Sequence, residues 1–382
     1  SPSHGTGAAL LRHLRDFPPE QLPHAFLNLK GDPFLPHSYQ VDIDEKQARP
    51  WYRRWIPHRP ANVTPTVSAR ELVATLAKGP PIDVIYSNVF GEKGLQLLTE
   101  ILEAFEHPPP VVHHAQDILF ENQAQFEAML RALSPRITEF WAIGPALARE
   151  MQRITGREAR LMTPFQTDIQ PVYKTEHRDA GPDFTAVMLG NSHMPWVLHH
   201  LRSVWASIGA EIPGLRPIQW YAYPSSVTYV TKAGVVFEPE IEYYGFLNDR
   251  VLHEHLCAAD MAIVPFNIQD KPEYHYAEFS IPSRITEFVN AGLPIFAAAG
   301  RGTDAHAFIS GNGIGVCATL ADEAAFRDQL LTFVRDTEQR RALGAHARSH
   351  AEAHCDIRHY RSRVRALFTG IAQNVTTEGE PA

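Results

Sequence analysis

The sequence predicts an α/β protein built from two doubly wound parallel-sheet domains in series. Three observations carry that prediction. Short apolar strand patterns alternate with amphipathic helix patterns over residues 68–162, and the alternation returns over residues 184–354. A polar stretch without periodicity, residues 167–183, separates the two runs. The length of 382 residues exceeds one ordinary domain and suits two. The expected division is 1–168, 169–355 and a last segment, 356–382, that begins with a helix. Each sheet then carries its ligand site at the carboxyl ends of its strands, with a cleft between the domains.

Composition narrows the class. Hydrophobic residues make up 44% and charged residues 20%, the balance of a folded soluble chain. The net charge of −8 argues against wholesale nucleic-acid binding. Cys257, Cys317 and Cys355 are scattered without metal-ligand spacing, which fits a reducing, cytoplasmic setting. No run of about 18 apolar residues suits a membrane span.

In chain order, Gly5 and Gly7 form a Gly-x-Gly turn before a helix pattern at residues 8–14, a place where a ligand can approach the backbone closely. Residues 25–29 read as a strand and 31–67 as irregular. Within the latter, Arg49-Pro-Trp-Tyr-Arg-Arg-Trp-Ile-Pro-His-Arg59 is either a packed surface loop or a lid or contact for an anionic membrane surface. Asp42-Ile-Asp44 is too short and common a pattern to imply a metal. The regular part opens with a helix at 69–76. Strands follow at 82–86, 110–112, 139–143 and 159–162, with helices at 93–105, 123–133 and 145–155. His113 and His114 stand at the end of the second of these strands. Strand alternation lets only one of them face a cleft, and either can equally be a hydrogen-bonded buried histidine.

The second run predicts strands at 184–189, 217–222, 235–237, 261–265 and 315–317. Its helices fall at 196–208, 249–259, 321–334 and 338–354, and the last helix of the chain covers 356–372. Asn191 and His193 follow the first of these strands, where a ligand is expected. The most informative stretch is 278–299, EFSIPSRITEFVNAGLPIFAAA. Pro282 suits a helix start, Gly292 a helix end with positive φ, and Pro294 blocks continuation. The run 295–299 reads as a buried strand. A helix start that carries Ser283, Arg284 and free N–H groups suits a phosphate. Glu287, on the same helical face as Arg284, either accepts from vicinal hydroxyls such as those of a ribose or pairs with Arg284.

These residues resemble the bacterial glycosyltransferases of the two-Rossmann-domain (GT-B) fold, and among them the retaining family-4 type. The resemblance covers nearly the whole chain. It is strongest in GFLNDRVLHEHLCAADMAIVPF (245–266) and IPSRITEFVNAGLPIFA (281–297), and TEFWAIGPALAREMQRITG and TPFQTD carry it in the first half. It implies two Rossmann-like domains facing a central cleft, with the C-terminal helix crossing back to the N-terminal domain. It implies transfer of a sugar from a nucleotide-diphosphate donor, UDP- or GDP-linked, to a hydroxyl on a glycan, lipid-linked or glycoconjugate acceptor. No metal and no further cofactor are implied. Ser283 and Arg284 would hold the diphosphate and Glu287 the ribose, helped by Asn191, Gly5 and Gly7. Phe246 and Leu247 would flank the base, Glu278 the sugar, and His114 or His113 would face the transferred sugar as the catalytic side chain. The implied setting is cytoplasmic, with peripheral membrane contact through the loop 49–59.

Two departures stand out. Glu278 and Glu287 are spaced one position wider than the family's usual carboxylate pair. The segment Gly190-Asn-Ser-His-Met-Pro-Trp196 lacks the Arg and Lys usual there. A nucleotide-sugar epimerase on the same fold and a non-catalytic nucleotide- or sugar-binding subunit are the rival readings.

Overall fold

The computed structural model describes residues 26–27, 38–41, 66–78, 81–88, 91–118, 122–163, 166–172, 178–190, 194–266 and 276–378. Contacts divide the chain into two compact units. One is Ser1–Ala142 with Ala148–Met162 and Arg363–Ala382; the other is Ile143–Leu147 with Thr163–Ser362.

In the first unit, β1 (Phe26–Leu27), β2 (Ser38–Val41) and β3 (Thr66–Val67) form a small parallel sheet. The last two correct the expectation of an irregular 31–67; each is too short to show a period. Helix α1 (Ala69–Leu76) starts on a reciprocal cap: Ser68 Oγ accepts from Glu71 N–H, and the Glu71 carboxylate accepts from Ser68 N–H. Its Leu72, Val73 and Leu76 pack with Leu97 and Ile101 of α2 (Gly91–Ala104).

The main sheet of this unit is parallel and ordered β4 (Ile85–Ser87), β5 (Val111–Ala115), β6 (Glu139–Ala142), β7 (Ala159–Leu161). Helices α3 (Gln123–Leu133) and α4 (Pro145–Thr155) lie between its strands in the chain. β5 is buried along its whole length, as expected of a central parallel strand.

The second unit holds a parallel sheet with the order β10-β9-β8-β11-β12-β13. Its strands are β8 (Ala186–Leu189), β9 (Ile218–Tyr221), β10 (Ile241–Gly245), β11 (Met261–Pro265), β12 (Ile295–Ala298) and β13 (Gly315–Ala318). Strand order reverses between β8 and β11, which makes their carboxyl ends the switch point where open α/β sheets bind ligands. Helices α5 (Pro195–Glu211), α6 (Pro224–Lys232), α7 (Asp249–Ala258), α8 (Tyr276–Phe279), α9 (Ile285–Asn290) and α10 (Asp304–Gly311) follow in the chain. After them come α11 (Glu323–Arg335), α12 (Thr337–His354) and α13 (Ile357–Glu378).

One strand expectation is corrected here. Residues 235–237 form no strand; the chain turns and pairs only from Ile241. β10 is an edge strand, alternately buried and exposed, and its outward Glu242, with Glu238 and Glu240 just before the strand, masks the pattern. Helices α6 and α10 were not expected.

α13 continues past Ser362 into the first unit's share of the chain. There Phe368 stacks on Trp141 of β6, with centroids 5.6 Å apart and planes 6° apart, and lies 5.7 Å from the Tyr86 ring. An aromatic pair of this kind adds about 0.5–1.5 kcal/mol beyond area burial.

Candidate functional site

The second unit assembles its site around the stretch 278–299. Pro282, Ser283 and Arg284 form a turn, and α9 follows from Ile285. The turn uses the helix's first donors. Ile285 N–H reaches Pro282 O at 3.1 Å, Thr286 N–H reaches Ser283 O at 3.4 Å, and Glu287 N–H reaches Arg284 O at 3.2 Å. The expectation of several free N–H groups at this helix start is corrected accordingly: local 3₁₀-type bonds consume them. The side chains carry the site instead. As expected, Gly292 ends the helix at φ +65°, and β12 is buried throughout.

Arg284 Nη1 lies 3.2 Å from Glu287 Oε1, and the two side chains keep 29% and 14% of their accessible surface. Thr286 Oγ1, with one proton to donate, lies 2.6 Å from Ser283 O and 2.9 Å from Glu287 Oε2. Glu287 is thereby oriented toward Arg284. A guanidinium has five N–H donors in a planar fork, so one bond to Glu287 leaves an edge for a second anion.

Gly190 fixes where that edge lies. It ends β8 at φ +85°, donates to Tyr221 O at 2.9 Å and accepts from Trp220 Nε1 at 2.9 Å. A Cβ built there would come within 3.3 Å of Arg284 Cγ. The Arg284 side chain therefore packs over the carboxyl end of β8, at the switch point.

Two strands away, Phe246 follows β10 and is half exposed, with Leu247 next to it partly buried. Phe246 stacks on Tyr223 with centroids 4.2 Å apart and planes 14° apart. Tyr223 follows β9 just before α6. Strand spacing puts Tyr223 about 5 Å and Phe246 about 10 Å from β8 along the sheet edge. The sequence reading missed Tyr223, which there reads only as the residue before a helix-starting proline. Glu278 sits in the short helix α8 and is partly exposed.

The first unit treats its histidines differently. His114 is fully buried, and His113 keeps 3% of its surface. His114 Nε2 donates to Met162 O at 2.8 Å, so its Nδ1 accepts from the Tyr86 hydroxyl at 2.6 Å. Both ring nitrogens are used, and the ring packs edge-on to Trp141. His113 Nδ1 lies 3.3 Å from Ser87 Oγ, on the Phe140 side. Burial lowers His113 to about 4; burial, opposed by the Met162 carbonyl and aided by His113, lowers His114 to about 3. The expectation that one of them faces a sugar as a catalytic group is corrected: both are neutral core residues. The alternation that separates them holds, but both faces of β5 are covered.

Gly5, Gly7, Asn191, His193, Asp42, Asp44 and the loop 49–59 lie outside the described residues. Among the described residues no three His, Cys, Asp or Glu side chains are grouped to hold a metal ion. No helix among them is long and apolar enough to cross a membrane.

No protein family and no curated protein matches the chain by sequence. Solved structures match by fold. A sucrose-phosphate synthase from Thermosynechococcus elongatus is 15% identical, with 79% of this chain and 77% of that chain covered and a TM-score of 0.59. HepE from Anabaena, in complex with UDP and glucose, is 17% identical, with 80% and 86% covered and a TM-score of 0.57. An α,α-trehalose 6-phosphate synthase from Burkholderia multivorans is 12% identical, with 82% and 76% covered and a TM-score of 0.60. The chain shares the two-domain Rossmann-like fold of these GT-B glycosyltransferases.

Proposed function

We propose that this protein is a glycosyltransferase that moves a hexosyl group from a UDP- or GDP-sugar to a hydroxyl acceptor, with retention and without a metal or further cofactor. The observation that carries the reading is Arg284 packed over Gly190 at the switch point, with Glu287 behind it. The chemical barrier is loss of the nucleoside diphosphate, as negative charge builds on its phosphate oxygens. A guanidinium edge held in place by a carboxylate meets that charge in a fixed geometry. Glu287, a carboxylate that can accept several hydrogen bonds, accepts from the ribose hydroxyls. Phe246, backed by Tyr223, supplies a flat apolar surface for the base. Retention rests on the sequence resemblance, in which the leaving phosphate helps deprotonate the acceptor on the same face. Assembly of an envelope glycan or glycoconjugate fits the same resemblance.

One observation favours a second reading, a subunit that binds a nucleotide sugar without turning it over: both strand-end histidines are sealed in the core. A thermal-shift series with UDP, GDP, ADP, TDP and CMP tests the shared premise. A ligand at 100 times its Kd adds about 2.7 kcal/mol, a shift of several degrees. No shift with any of them ends both readings. A shift followed by slow release of free sugar from UDP-glucose supports transfer, and a shift without turnover supports the subunit.

A further inference from the structure

Helix α9 carries Arg284 at its N-cap and Glu287 in its middle, yet it has only six residues. A helix of that length is not stable alone, so its place over β8 is set by what grips it. All of its residues except Glu287 are buried. Apolar burial is non-directional and by itself lets a short helix turn or slide a little. Directional bonds at its far end remove that freedom.

Those bonds converge on Asn290, the last residue of α9, which keeps 3% of its surface. Its Oδ1 accepts from Gln170 N–H at 3.1 Å and from Arg348 Nη1 at 3.2 Å, and its Nδ2 donates to Asp168 O at 3.1 Å. Arg348, on α12, also donates from Nη1 to the Asn290 carbonyl and, at 2.8 Å, to Gln170 O. A cation at this end suits the helix dipole and satisfies a carbonyl that the helix leaves over. Glu352 holds the guanidinium in place, accepting from Arg348 Nε at 2.7 Å. Gly292 lets α12 come close: a Cβ built there would lie 3.5 Å from Arg348 Cβ. The stretch gripped by Asn290 and Arg348 is itself anchored. Pro171 O accepts from His253 Nε2 at 2.9 Å, and Thr167 N–H donates to Cys355 O at 2.9 Å. Both polar atoms of the buried Asn290 side chain are therefore bonded, and a satisfied buried network selects one arrangement where apolar packing tolerates several.

We propose that Asn290 and Arg348 are positioning residues for the anion site: they fix the rotation and height of α9 and, through it, the aim of Arg284 at a phosphate. Bonds from a planar guanidinium fork depend on angle, so a small turn of α9 is felt there. The inference rests on the nucleotide reading of the Arg284 site.

UDP and inorganic pyrophosphate are titrated into the full-length protein, Asn290→Ala, Arg284→Ala and the double variant; Arg348→Met replaces Asn290→Ala if the latter fails to fold. Asn290→Ala should weaken UDP binding about 3- to 10-fold. In the Arg284→Ala background the same substitution should cost less than about twofold, because its effect runs through Arg284. A purely structural role predicts a loss of the same size in both backgrounds. That result, or unchanged UDP affinity in Asn290→Ala, overturns the proposal and leaves the nucleotide reading standing. If the wild type binds pyrophosphate but not UDP, the nucleotide reading fails alone, and the same four proteins titrated with pyrophosphate decide the positioning role. If it binds neither, both fall.

Discussion

The carboxyl edges of the two larger parallel sheets handle polar side chains in opposite ways. In the six-stranded sheet, Arg284 and Glu287 pair with each other and stay partly exposed, and Phe246 stacks on Tyr223 yet remains half exposed. In the four-stranded sheet, His113, His114 and Gln116 are all buried. His114 has partners on both ring nitrogens and His113 on Nδ1, while the glutamine is unpaired. Charge that must meet a phosphate has to keep solvent access, because burying it without a partner costs several kcal/mol. Under the proposed function, the contrast places anion binding in the second unit.

Acid should produce the largest effect and fall on the first unit. Its two buried histidines are neutral when folded, with pKa values lowered to about 4 and about 3, and regain the ordinary value of 6.5 when unfolded. Between those limits the unfolded chain binds more protons, so stability is full above about pH 6.5 and is lost as pH falls toward 3–4. At pH 5 each contributes a loss of about 2 kcal/mol. In the second unit His350, half-buried among His354 and His346, is the comparable group, also lowered to about 4. Urea midpoints at pH 7.5 and 5.0 check this, and an unmoved midpoint contradicts it.

A backbone change should come next and fall on the second unit. A Cβ on Gly315 would sit 2.3 Å from Ile295 O, where β13 pairs with β12, the strand that follows Arg284 and Glu287 in the chain. Gly315→Ala should destabilise by about 3 kcal/mol, and UDP affinity should fall only as far as the protein unfolds. The smallest effect belongs to the aromatic pair. Phe246→Ala should weaken uridine binding by about 1 kcal/mol with little change in melting temperature, read by titration with uridine.

Much of this was legible in the sequence. Strong periodicity located α1 and α4, and the Gly-Leu-Pro punctuation located the end of α9 and the start of β12. Where local chemistry opposed the outcome, reading failed. β10 hides behind Glu238, Glu240 and Glu242, and α6 is built of Ser, Thr and Val, poor helix formers whose only signal is Pro224 at the start. The pairing of Arg284 with Glu287 was legible because their spacing on one helical face is a local property. Tyr223 was missed because its stacking on Phe246 depends on which strands become neighbours. The histidines on β5 misled for a related reason: a strand-end position is visible in a sequence, but the packing of Tyr86 and Trp141 against His114 is not.

The most direct test of the account is a calorimetric titration of UDP and of uridine into the wild type and Arg284→Ala. The account predicts that UDP affinity falls about 10- to 100-fold in the variant, the worth of hydrogen bonds from a guanidinium to a phosphate, while uridine affinity and melting temperature stay the same. Equal UDP affinity in the two proteins would contradict it.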